Sequence, residues 1–461
     1  MEITKIYGPP GTGKTTTLIS MLKKELDNGI SIKDVAYLTH TRAGAEEVRK
    51  RIGEQFSDQM KKDLLWFRTI HSACCKIQGI TAKETIGQYH RELFHERYNY
   101  DLDGRGSLDS SHDDLTWDVA LEVRSFASAT KRDIEEVRLE KAKDHRLSHN
   151  MFYDFLACWD KFKQEVGMLD FVDQLEHYNG EPLPIKVMIV DEAQDLSKLQ
   201  WDIIWKMAST CERVYIAGDD DQSIFDFIGA DEFGFLDLVA DKEIILTESF
   251  RVPEDIGIFA QDIIARNSKR KNKVVKWNDK VKGSIDRVSS LEALEWRGDI
   301  TTFVLCRHNK QCHSVSNFLK EIGVPHSVNG KSVQKSPIAN IARTYLLLLA
   351  GEQVRPSLVS KLAIQLGLEQ LGRDMRQLTK LRRPSVSARD CKGIKFEVDD
   401  WTSYLANGEW RDLQDLRALQ GALNTAGSMD IIGTEPPVSV MTYHYSKGRE
   451  AHRVVCLTEC Y

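Results

Sequence analysis

A glycine-rich stretch near the start of the chain decides the fold: Gly8-Pro9-Pro10-Gly11-Thr12-Gly13-Lys14-Thr15. The apolar run at residues 3–7 predicts a buried strand before it, and the pattern from Thr16 to about residue 28 predicts a helix after it. Such a loop between strand and helix indicates a phosphate site, because its backbone N–H groups attract anions. We therefore predict that this stretch and Thr16 bind ATP, with Lys14 at the β- and γ-phosphates and Thr15 at Mg²⁺.

A second motif ends another apolar run, Val187-Met188-Ile189-Val190, which Asp191 and Glu192 follow. A strand that ends in two carboxylates is typical of P-loop proteins that hydrolyse nucleotides. We predict that Asp191 binds the metal and that Glu192 deprotonates the attacking water. A solvated strand end is the alternative for this pair alone, and the accompanying phosphate loop favours the catalytic interpretation.

The rest of the chain alternates between strand-rich and helical parts. Short apolar runs at residues 35–38, 214–217 and 243–246 end in polar or small residues, which is typical of α/β proteins. Residues 80–166 and 351–433 instead show long, charged, helical patterns. A further α/β section begins at residue 301, and residues 438–441 predict a late strand that returns to it.

The composition is that of a folded protein, with 461 residues, 41% hydrophobic and 29% charged. Disordered, collagen-like and miniature scaffolds are excluded, and the length allows about three or four domains. The nine cysteines show no Cys-x-x-Cys spacing, so we expect reduced thiols rather than a zinc ribbon. Without a signal-peptide pattern or a membrane-spanning apolar run, the chain is predicted to be cytoplasmic, in a bacterial or viral-type cytosol, with no membrane partner.

Two longer motifs resemble those of one protein family. They are Asp191-Glu192-Ala193-Gln194-Asp195 and Gly218-Asp219-Asp220-Asp221-Gln222-Ser223-Ile224-Phe225. They resemble motifs II and III of the UvrD/Rep/PcrA-type superfamily 1 DNA helicases. Five further segments resemble later or intervening motifs, in the family's order: Leu38-Thr39-His40-Thr41, Thr69-Ile70-His71-Ser72, Leu246-Thr247-Glu248-Ser249-Phe250-Arg251, Leu305-Cys306-Arg307-His308-Asn309 and Thr442-Tyr443-His444-Tyr445-Ser446-Lys447-Gly448-Arg449-Glu450.

The resemblance implies an α/β fold with two RecA-like P-loop NTPase lobes, each a parallel sheet flanked by helices, and two mainly helical inserted subdomains. The implied segments are the first lobe at 1–79 and 166–240, its insertion at 80–165, the second lobe at 241–350 and 434–461, and a shortened insertion at 351–433.

The resemblance also implies the nucleotide chemistry. Gln222 occupies the position that senses the γ-phosphate, and Arg251 that of an arginine finger from the second lobe. The implied catalytic residues are Lys14, Glu192, Gln222 and Arg251. Gly448 and Glu450 match the part of motif V that contacts the nucleotide, and Thr15 and Asp191 are the implied metal ligands.

Single-stranded DNA and junctions of single- and double-stranded DNA are the implied partners, together with a replication or repair protein. The formal net charge of −6 does not exclude DNA, because the local charge of a groove acts on its backbone. The residues predicted along the DNA path are His40, Thr69, His71, Phe225, Phe227, Arg307, Thr442 and His444. Phe225 and Phe227 have core packing as their alternative, since aromatic residues at alternate positions commonly pack inward.

Two basic clusters leave two interpretations open. One comprises Lys269, Arg270, Lys271 and Lys273, and the other comprises Arg373, Arg376, Lys380, Arg382, Arg383 and Arg389. Each cluster either contacts duplex DNA or forms a solvated face.

The resemblance implies an ATP-dependent DNA helicase or translocase that moves 3′ to 5′ on single-stranded DNA in replication, repair or recombination. The sequence departs from the family in stopping after motif V, before the arginine of motif VI, and in having only Met1 and Glu2 ahead of the first strand. Without the arginine of motif VI, the chain could instead be an ATP- and DNA-binding regulatory or loading module with weak or no ATPase. Because so few residues precede the first strand, we expect relaxed nucleotide choice. The motor part of a helicase–nuclease is a third hypothesis.

Overall fold

The computed structural model describes residues 1–55, 63–102, 117–142, 147–426, 429 and 432–458. The chain forms two compact units, Met1–Asp286 and Arg287–Tyr461.

The first unit is built on a six-stranded sheet in which every neighbouring pair is parallel. Its strands are β1 (Glu2–Tyr7), β2 (Val35–Thr39), β3 (Trp66–Thr69), β4 (Val187–Asp191), β5 (Arg213–Gly218) and β6 (Lys242–Ile245), in the spatial order β3-β2-β4-β5-β1-β6. Because all strands run the same way, the loops that follow β1, β2, β3, β4 and β5 lie along one edge of the sheet.

Helices cover both faces of this sheet. The helices of the first unit are α1 (Lys14–Asp27), α2 (Arg42–Gln55), α3 (Ile70–Ile77), α4 (Gln88–Tyr98), α5 (Asp118–Thr130), α6 (Ile134–Lys141), α7 (His149–Val166), α8 (Phe171–Glu176), α9 (Lys198–Met207) and α10 (Glu254–Ile264). Successive residues of β4 alternate between faces, as a pleated strand requires. Ile189 packs into the core with α1 and α2, whereas Val190 packs into the core with α3 and α9.

The helices α4 to α7 have a core of their own. It is rich in aromatic side chains, among them Phe94, Phe155, Trp159 and Phe162. Phe94 alone has ring contacts with all three of the others, at centroid distances of 4.9 to 5.9 Å. The part of the chain predicted as the first helical insertion therefore buries enough apolar surface to form its own cluster.

The sheet includes a strand from beyond the predicted end of the first lobe. β6 pairs in parallel with β1, so residues 242–245 complete the first sheet, although the sequence places them after a boundary at 240. The following strands β7 (Glu248–Pro253) and β8 (Lys276–Asn278) pair only with each other and also belong to the first unit. The six-segment division of the chain stays a prediction.

The second unit has a sheet of five strands: β9 (Thr302–Cys306), β10 (His326–Val328), β11 (Lys331–Ser332), β12 (Val438–Thr442) and β13 (Arg453–Cys456). Their spatial order is β11-β10-β12-β9-β13, and only the β10–β11 pair is antiparallel. The helices are α11 (Asn309–Glu321), α12 (Pro337–Leu349), α13 (Pro356–Gln365), α14 (Glu369–Lys380), α15 (Trp401–Ala406), α16 (Trp410–Ala426) and α17 (Tyr443–Ser446).

The predicted fold class is confirmed, because both units contain parallel strands flanked by helices. The strands predicted at residues 3–7, 187–190 and 438–441 are present as β1, β4 and β12. Among the described residues, none of the helices combines the length and the apolar character needed to span a bilayer.

Candidate functional site

The glycine-rich loop connects β1 to α1 at the carboxyl edge of the first sheet. Gly13 is the N-cap of α1, with φ 79° and ψ 33°, a left-handed conformation that suits glycine. A Cβ atom on Gly8 would lie 2.0 Å from Cγ of Lys14, so the glycine is required for the lysine side chain to fold back over the loop. Lys14 Nζ donates to the Gly8 carbonyl at 2.8 Å, and Thr12 Oγ1 donates to the Pro9 carbonyl at 2.7 Å.

Asp191 lies at the end of β4, opposite the start of α1. Thr15 Oγ1 donates to Asp191 Oδ2 at 3.1 Å, and the Tyr37 hydroxyl donates to the same oxygen at 2.8 Å. Asp191 is only 4% exposed. Burial, followed by the neighbouring Glu192 carboxylate, raises the pKa of Asp191. The predicted metal ligands Thr15 and Asp191 are thus brought together.

Glu192 and Gln222 are joined by a chain of hydrogen bonds. Gln194 Nε2 donates to Glu192 Oε2 at 2.8 Å, and Gln194 Oε1 accepts from the Asp219 backbone N–H at 3.0 Å. Gln222 Nε2 donates to Asp219 Oδ2 at 2.7 Å. Glu192 itself has φ 55°, a left-handed conformation that is uncommon outside glycine. The loops after β4 and β5 therefore hold the two predicted catalytic side chains in one connected arrangement.

Arg251 lies on β7, beside the glycine-rich loop. Ser249 Oγ donates to the Pro10 carbonyl at 2.8 Å, and the Phe250 N–H donates to the Gly11 carbonyl at 2.9 Å. A Cβ atom on Gly11 would lie 2.6 Å from Cβ of Arg251, which shows how closely the two backbones approach. Arg251 is exposed, so its guanidinium is accessible next to the loop.

Pro9, Pro10 and Thr12 lie in the turn between β1 and α1, and Thr16 lies in the first turn of α1. Thr12 is buried and Thr16 is exposed. All nine predicted residues from Gly8 to Thr16 therefore surround one strand end.

A groove of about 1010 Å³ lies near the carboxyl ends of β2 and β3. His40, Thr69 and His71, predicted as DNA contacts, all line it. Among the described residues, its lining also includes four cationic side chains and one carboxylate, that of Glu46; the cationic residues are Arg42, Arg49, Arg68 and Lys76. This excess of positive charge suits an anionic backbone.

Aromatic rings extend from this groove toward the loop after β5. The rings of His40 and Phe225 lie 6.1 Å apart, and those of Phe225 and Phe227 lie 6.2 Å apart. Phe225 and Phe227 are half-buried and are not part of a buried core cluster. His71 meets Phe171 edge-on at 5.9 Å, and Phe171 is 55% exposed.

Thr69 and Thr442 act as caps of the helices that follow them. Thr69 Oγ1 accepts from the Ser72 N–H at 3.2 Å in the first unit, and Thr442 Oγ1 accepts from the Tyr445 N–H at 3.3 Å in the second. A hydroxyl that caps a helix satisfies a backbone donor at the strand's end.

In the second unit, Arg307 and His444 follow neighbouring parallel strands. Arg307 comes directly after β9 and is exposed, whereas His444 lies on α17 after β12. Thr442 pairs with Cys306 in the strand register, so these segments share one edge of the second sheet. Gly448 and Glu450 are exposed in the segment between α17 and β13, and Gly448 has φ 75°.

The two basic clusters differ in the structure. Arg270, Lys271 and Lys273 all pair with carboxylates of the same unit, which favours a structural role over duplex contact. In the second cluster, Arg373 and Arg383 form exposed ion pairs, and its interpretation stays open.

Several residues of the site were not predicted from the sequence. Gln194 and Asp219 lie inside recognised motifs, and their motif positions were the available signal. Tyr37 stands in an apolar strand and gives no sign of its bond to Asp191. Lys273 stands out in the sequence only as part of a basic cluster.

A parallel sheet whose edge carries this loop, the Thr15–Asp191 pair and the adjacent Glu192 defines a P-loop nucleotide-binding protein. A model of the UvrD/REP helicase N-terminal domain matches residues 2–243. The chain therefore belongs to the UvrD/REP helicase family.

Two curated relatives illustrate the similarity. The ATP-dependent DNA helicase PcrA of Staphylococcus aureus is 26% identical over 354 residues, an alignment that covers 72% of this chain and 45% of that protein. The ATP-dependent DNA helicase PcrA of Staphylococcus epidermidis is 24% identical over 355 residues, covering 71% of this chain and 46% of that protein. The chain thus spans less than half the length of these relatives.

Proposed function

We propose that this chain is an ATP-dependent DNA helicase or translocase that uses Mg²⁺ and moves 3′ to 5′ along single-stranded DNA. Its family supports this function, as do its relatives, the ATP-dependent DNA helicases PcrA. The observation that supports the proposal best is the hydrogen-bonded chain from Glu192 through Gln194 and Asp219 to Gln222, because it links the two side chains that we propose for hydrolysis.

The nucleotide phosphates are proposed to bind the loop from Gly8 to Thr16. A Cβ atom at Gly8 would collide with the Lys14 side chain, and one at Gly11 would collide with Arg251 and Ser249 of β7, so both positions require glycine, as expected of a cradle for phosphate. Lys14, which folds back to the Gly8 carbonyl, exchanges that partner for phosphate oxygens. Gly448 and Glu450 of the second unit stay predictions for nucleotide contact.

The donors Thr15 and Asp191 fit Mg²⁺, because a hydroxyl and a carboxylate oxygen at 3.1 Å offer the hard oxygen ligands that this ion prefers. When bound, Mg²⁺ supplies neutralisation of phosphate charge. Tyr37 holds Asp191 from the side of the sheet core, so that the carboxylate is oriented before the ion arrives.

In the hydrolysis step, Glu192 accepts a proton from the attacking water. The water oxygen bonds to the γ-phosphorus as the bond to the ADP oxygen breaks, and the products are ADP and inorganic phosphate. Gln222 orients the water or the γ-phosphate. Arg251, exposed beside the loop, neutralises the charge that develops on the transferred group.

Single-stranded DNA is proposed to follow the groove of the first unit. Its backbone meets the cationic lining, while Phe225, Phe227 and His40 offer faces on which bases stack regardless of sequence. Thr69 and His71 contact the strand at the groove wall. Arg307, Thr442 and His444 are the proposed contacts in the second unit. Junctions of single- and double-stranded DNA, and a replication or repair protein, are the proposed further partners.

The first experiment is steady-state ATP hydrolysis by the full chain with and without single-stranded DNA, with Lys14→Ala as the blank. We expect strong stimulation by DNA that the variant lacks, because Lys14 contacts the transferred phosphate. Unwinding of substrates with 3′ or 5′ overhangs then tests the polarity.

Failure has a distinct signature in the same assay. Binding of ATP and DNA without stimulated hydrolysis would contradict the motor and favour a regulatory or loading module. Stimulated hydrolysis that survives in Lys14→Ala would contradict the assignment of the phosphate loop.

A further inference from the structure

A buried lysine contacts three consecutive carboxylates after β5. Lys273 Nζ lies 2.9 Å from Asp219 Oδ1 and 2.8 Å from Asp221 Oδ2, and it also bonds Asp220 Oδ1. The side chain of Lys273 is 1% exposed, and those of Asp219 and Asp220 are 0% and 4% exposed. Such a lysine occurs in a protein interior only when its charge is balanced.

Neighbouring residues complete the charge balance of this Lys273 cluster. Arg270 donates two hydrogen bonds to Asp221, each of 2.7 Å, and the Lys271 backbone N–H donates to Asp220 Oδ2 at 2.7 Å. A group of three nearby carboxylates resembles a metal site, but here two side-chain cations already occupy their oxygens. The segment at residues 270–273 is thereby fixed to the loop that ends in Gln222.

Asp219 divides its two oxygens between Lys273 and Gln222. Oδ1 accepts from Lys273 Nζ at 2.9 Å and from the Asp221 backbone N–H at 3.3 Å, whereas Oδ2 accepts from Gln222 Nε2 at 2.7 Å. With Oδ1 held by a buried ammonium group, the carboxylate cannot rotate without losing a charge-assisted bond. Lys273 makes the shorter, charge-assisted bond of the two that Oδ1 accepts, so the direction in which Oδ2 faces Gln222 depends mainly on Lys273.

We propose that Lys273 is a positioning residue for ATP hydrolysis, which acts through Asp219 to orient Gln222 toward the γ-phosphate. The inference rests on the proposed function. It assigns to Lys273 a role inside the nucleotide site, in place of DNA contact.

A general structural role is the competing explanation, because removing one partner of a buried ion cluster is destabilising. The two explanations differ in which nucleotide they affect. Gln222 is proposed to act at the γ-phosphate, so its misplacement leaves ADP binding intact. A distorted phosphate loop would weaken ADP and ATP alike.

The experiment compares Lys273→Met with the matched control Lys269→Met in the full chain. Lys269 lies in the same segment but is exposed and stacks on Phe233, with its ammonium 4.4 Å from the ring centroid. We expect Lys273→Met to lower kcat for DNA-stimulated hydrolysis by about 10- to 100-fold, since small misplacements of a catalytic group have effects of this size. ADP affinity stays unchanged, Lys269→Met retains its kcat, and Lys273→Arg restores part of the lost rate.

A double-mutant cycle with Gln222→Ala tests the route. If Lys273 acts through Gln222, adding Lys273→Met to Gln222→Ala lowers kcat far less than it does in the unmodified chain. If Lys273→Met folds poorly, the double variant Lys273→Met/Asp220→Asn replaces it in the same cycle. The second substitution removes one of the negative charges that Lys273 would otherwise balance.

The outcomes separate this inference from the proposed function. An unmodified chain without DNA-stimulated hydrolysis overturns both. An active chain whose Lys273 variants keep their kcat, lose ADP affinity, or show additive effects with Gln222→Ala overturns the role of Lys273 alone.

Discussion

Two regions of the first unit share one sheet but differ in how firmly their side chains are held. One is the nucleotide edge, which comprises the loop from Gly8 to Thr16 together with Asp191, Glu192 and Gln222, and the other is the groove near β2 and β3. At the nucleotide edge, Thr15, Asp191 and Gln222 each bond another side chain of the site at 2.7 to 3.1 Å. At the groove, the ring of His40 lies about 6 Å from that of Phe225, which in turn lies about 6 Å from that of Phe227 beside the groove, and all three side chains are partly exposed.

This difference follows from what each region is proposed to bind. Hydrolysis requires donors and a base at fixed positions around one phosphorus atom, which buried hydrogen bonds provide before the nucleotide arrives. Binding of single-stranded DNA of any sequence requires only aromatic ring faces and positive charge, and neither of these interactions needs a partner in one fixed orientation. Changes at the nucleotide edge should therefore have larger effects than changes in the groove.

The largest effect is expected for Glu192→Gln. An amide in place of the carboxylate cannot accept the proton of the water, so DNA-stimulated hydrolysis should fall by about 10²- to 10⁴-fold. ATP binding is retained, because Glu192 acts on water. Hydrolysis and binding of a fluorescent ATP analogue are measured side by side.

The matched control is Glu212→Gln, which lies just before β5 at the opposite edge of the same sheet and is exposed. It should behave like the unmodified chain. Hydrolysis by Glu192→Gln at the rate of this control would remove Glu192 from the catalytic role and weaken the contrast between the two regions.

A smaller effect is expected for Phe227→Ala. Loss of one base stack should weaken binding of single-stranded DNA by about 1–3 kcal/mol, measured by fluorescence anisotropy. Hydrolysis without DNA changes less than DNA affinity does. Trp410→Ala, which removes a ring that is 70% exposed in the second unit, is the control. Equal DNA affinity of Phe227→Ala and the unmodified chain would return Phe227 to a packing role.

A further effect, on stability instead of activity, is expected from the protonation of His71. Burial of the His71 side chain lowers its pKa from 6.5 to about 4, and the nearby His40 makes a second, smaller contribution to this shift. As the pH falls from 6.5 to 4, the unfolded chain therefore binds a proton that the folded chain does not. The free energy of unfolding should decrease over this window and be less pH-dependent in His71→Gln.

An NMR titration of ¹³C-labelled histidines checks this prediction directly. The signal that is missing from the spectrum of His71→Gln is assigned to His71. A His71 signal that titrates near 6.5 would show that the groove wall is as open to water as the rest of the surface. In that case the groove would be even more hydrated, relative to the buried side chains of the nucleotide edge, than the structure indicates.

The loop from Gly8 to Thr15 and the strand before Asp191 were predictable from the sequence, because their signals are contiguous. Apolar runs, glycine spacing and paired carboxylates all lie within a few residues of one another. The alternating strand and helix pattern likewise predicted the α/β class. The order of the motifs along the chain matched the family to which the chain belongs.

Long-range pairing was not predictable in the same way. The bond of Tyr37 to Asp191 joins residues 154 positions apart, and that of Lys273 to Asp219 joins residues 54 positions apart. An apolar strand and a basic run look alike whether or not their polar atoms find such partners. The same holds for β6, whose pairing with β1 brings residues 242–245 into the first sheet.

The sequence by itself therefore determined the class of fold, the phosphate loop, the carboxylate pair and the family, since these depend on local chemistry. Only the tertiary structure decided that Tyr37 orients Asp191, that Arg251 lies against Gly11, and that Lys273 bonds Asp219 instead of reaching solvent. The physical reason is that a buried polar atom takes whichever partner the packed backbone brings within bonding distance.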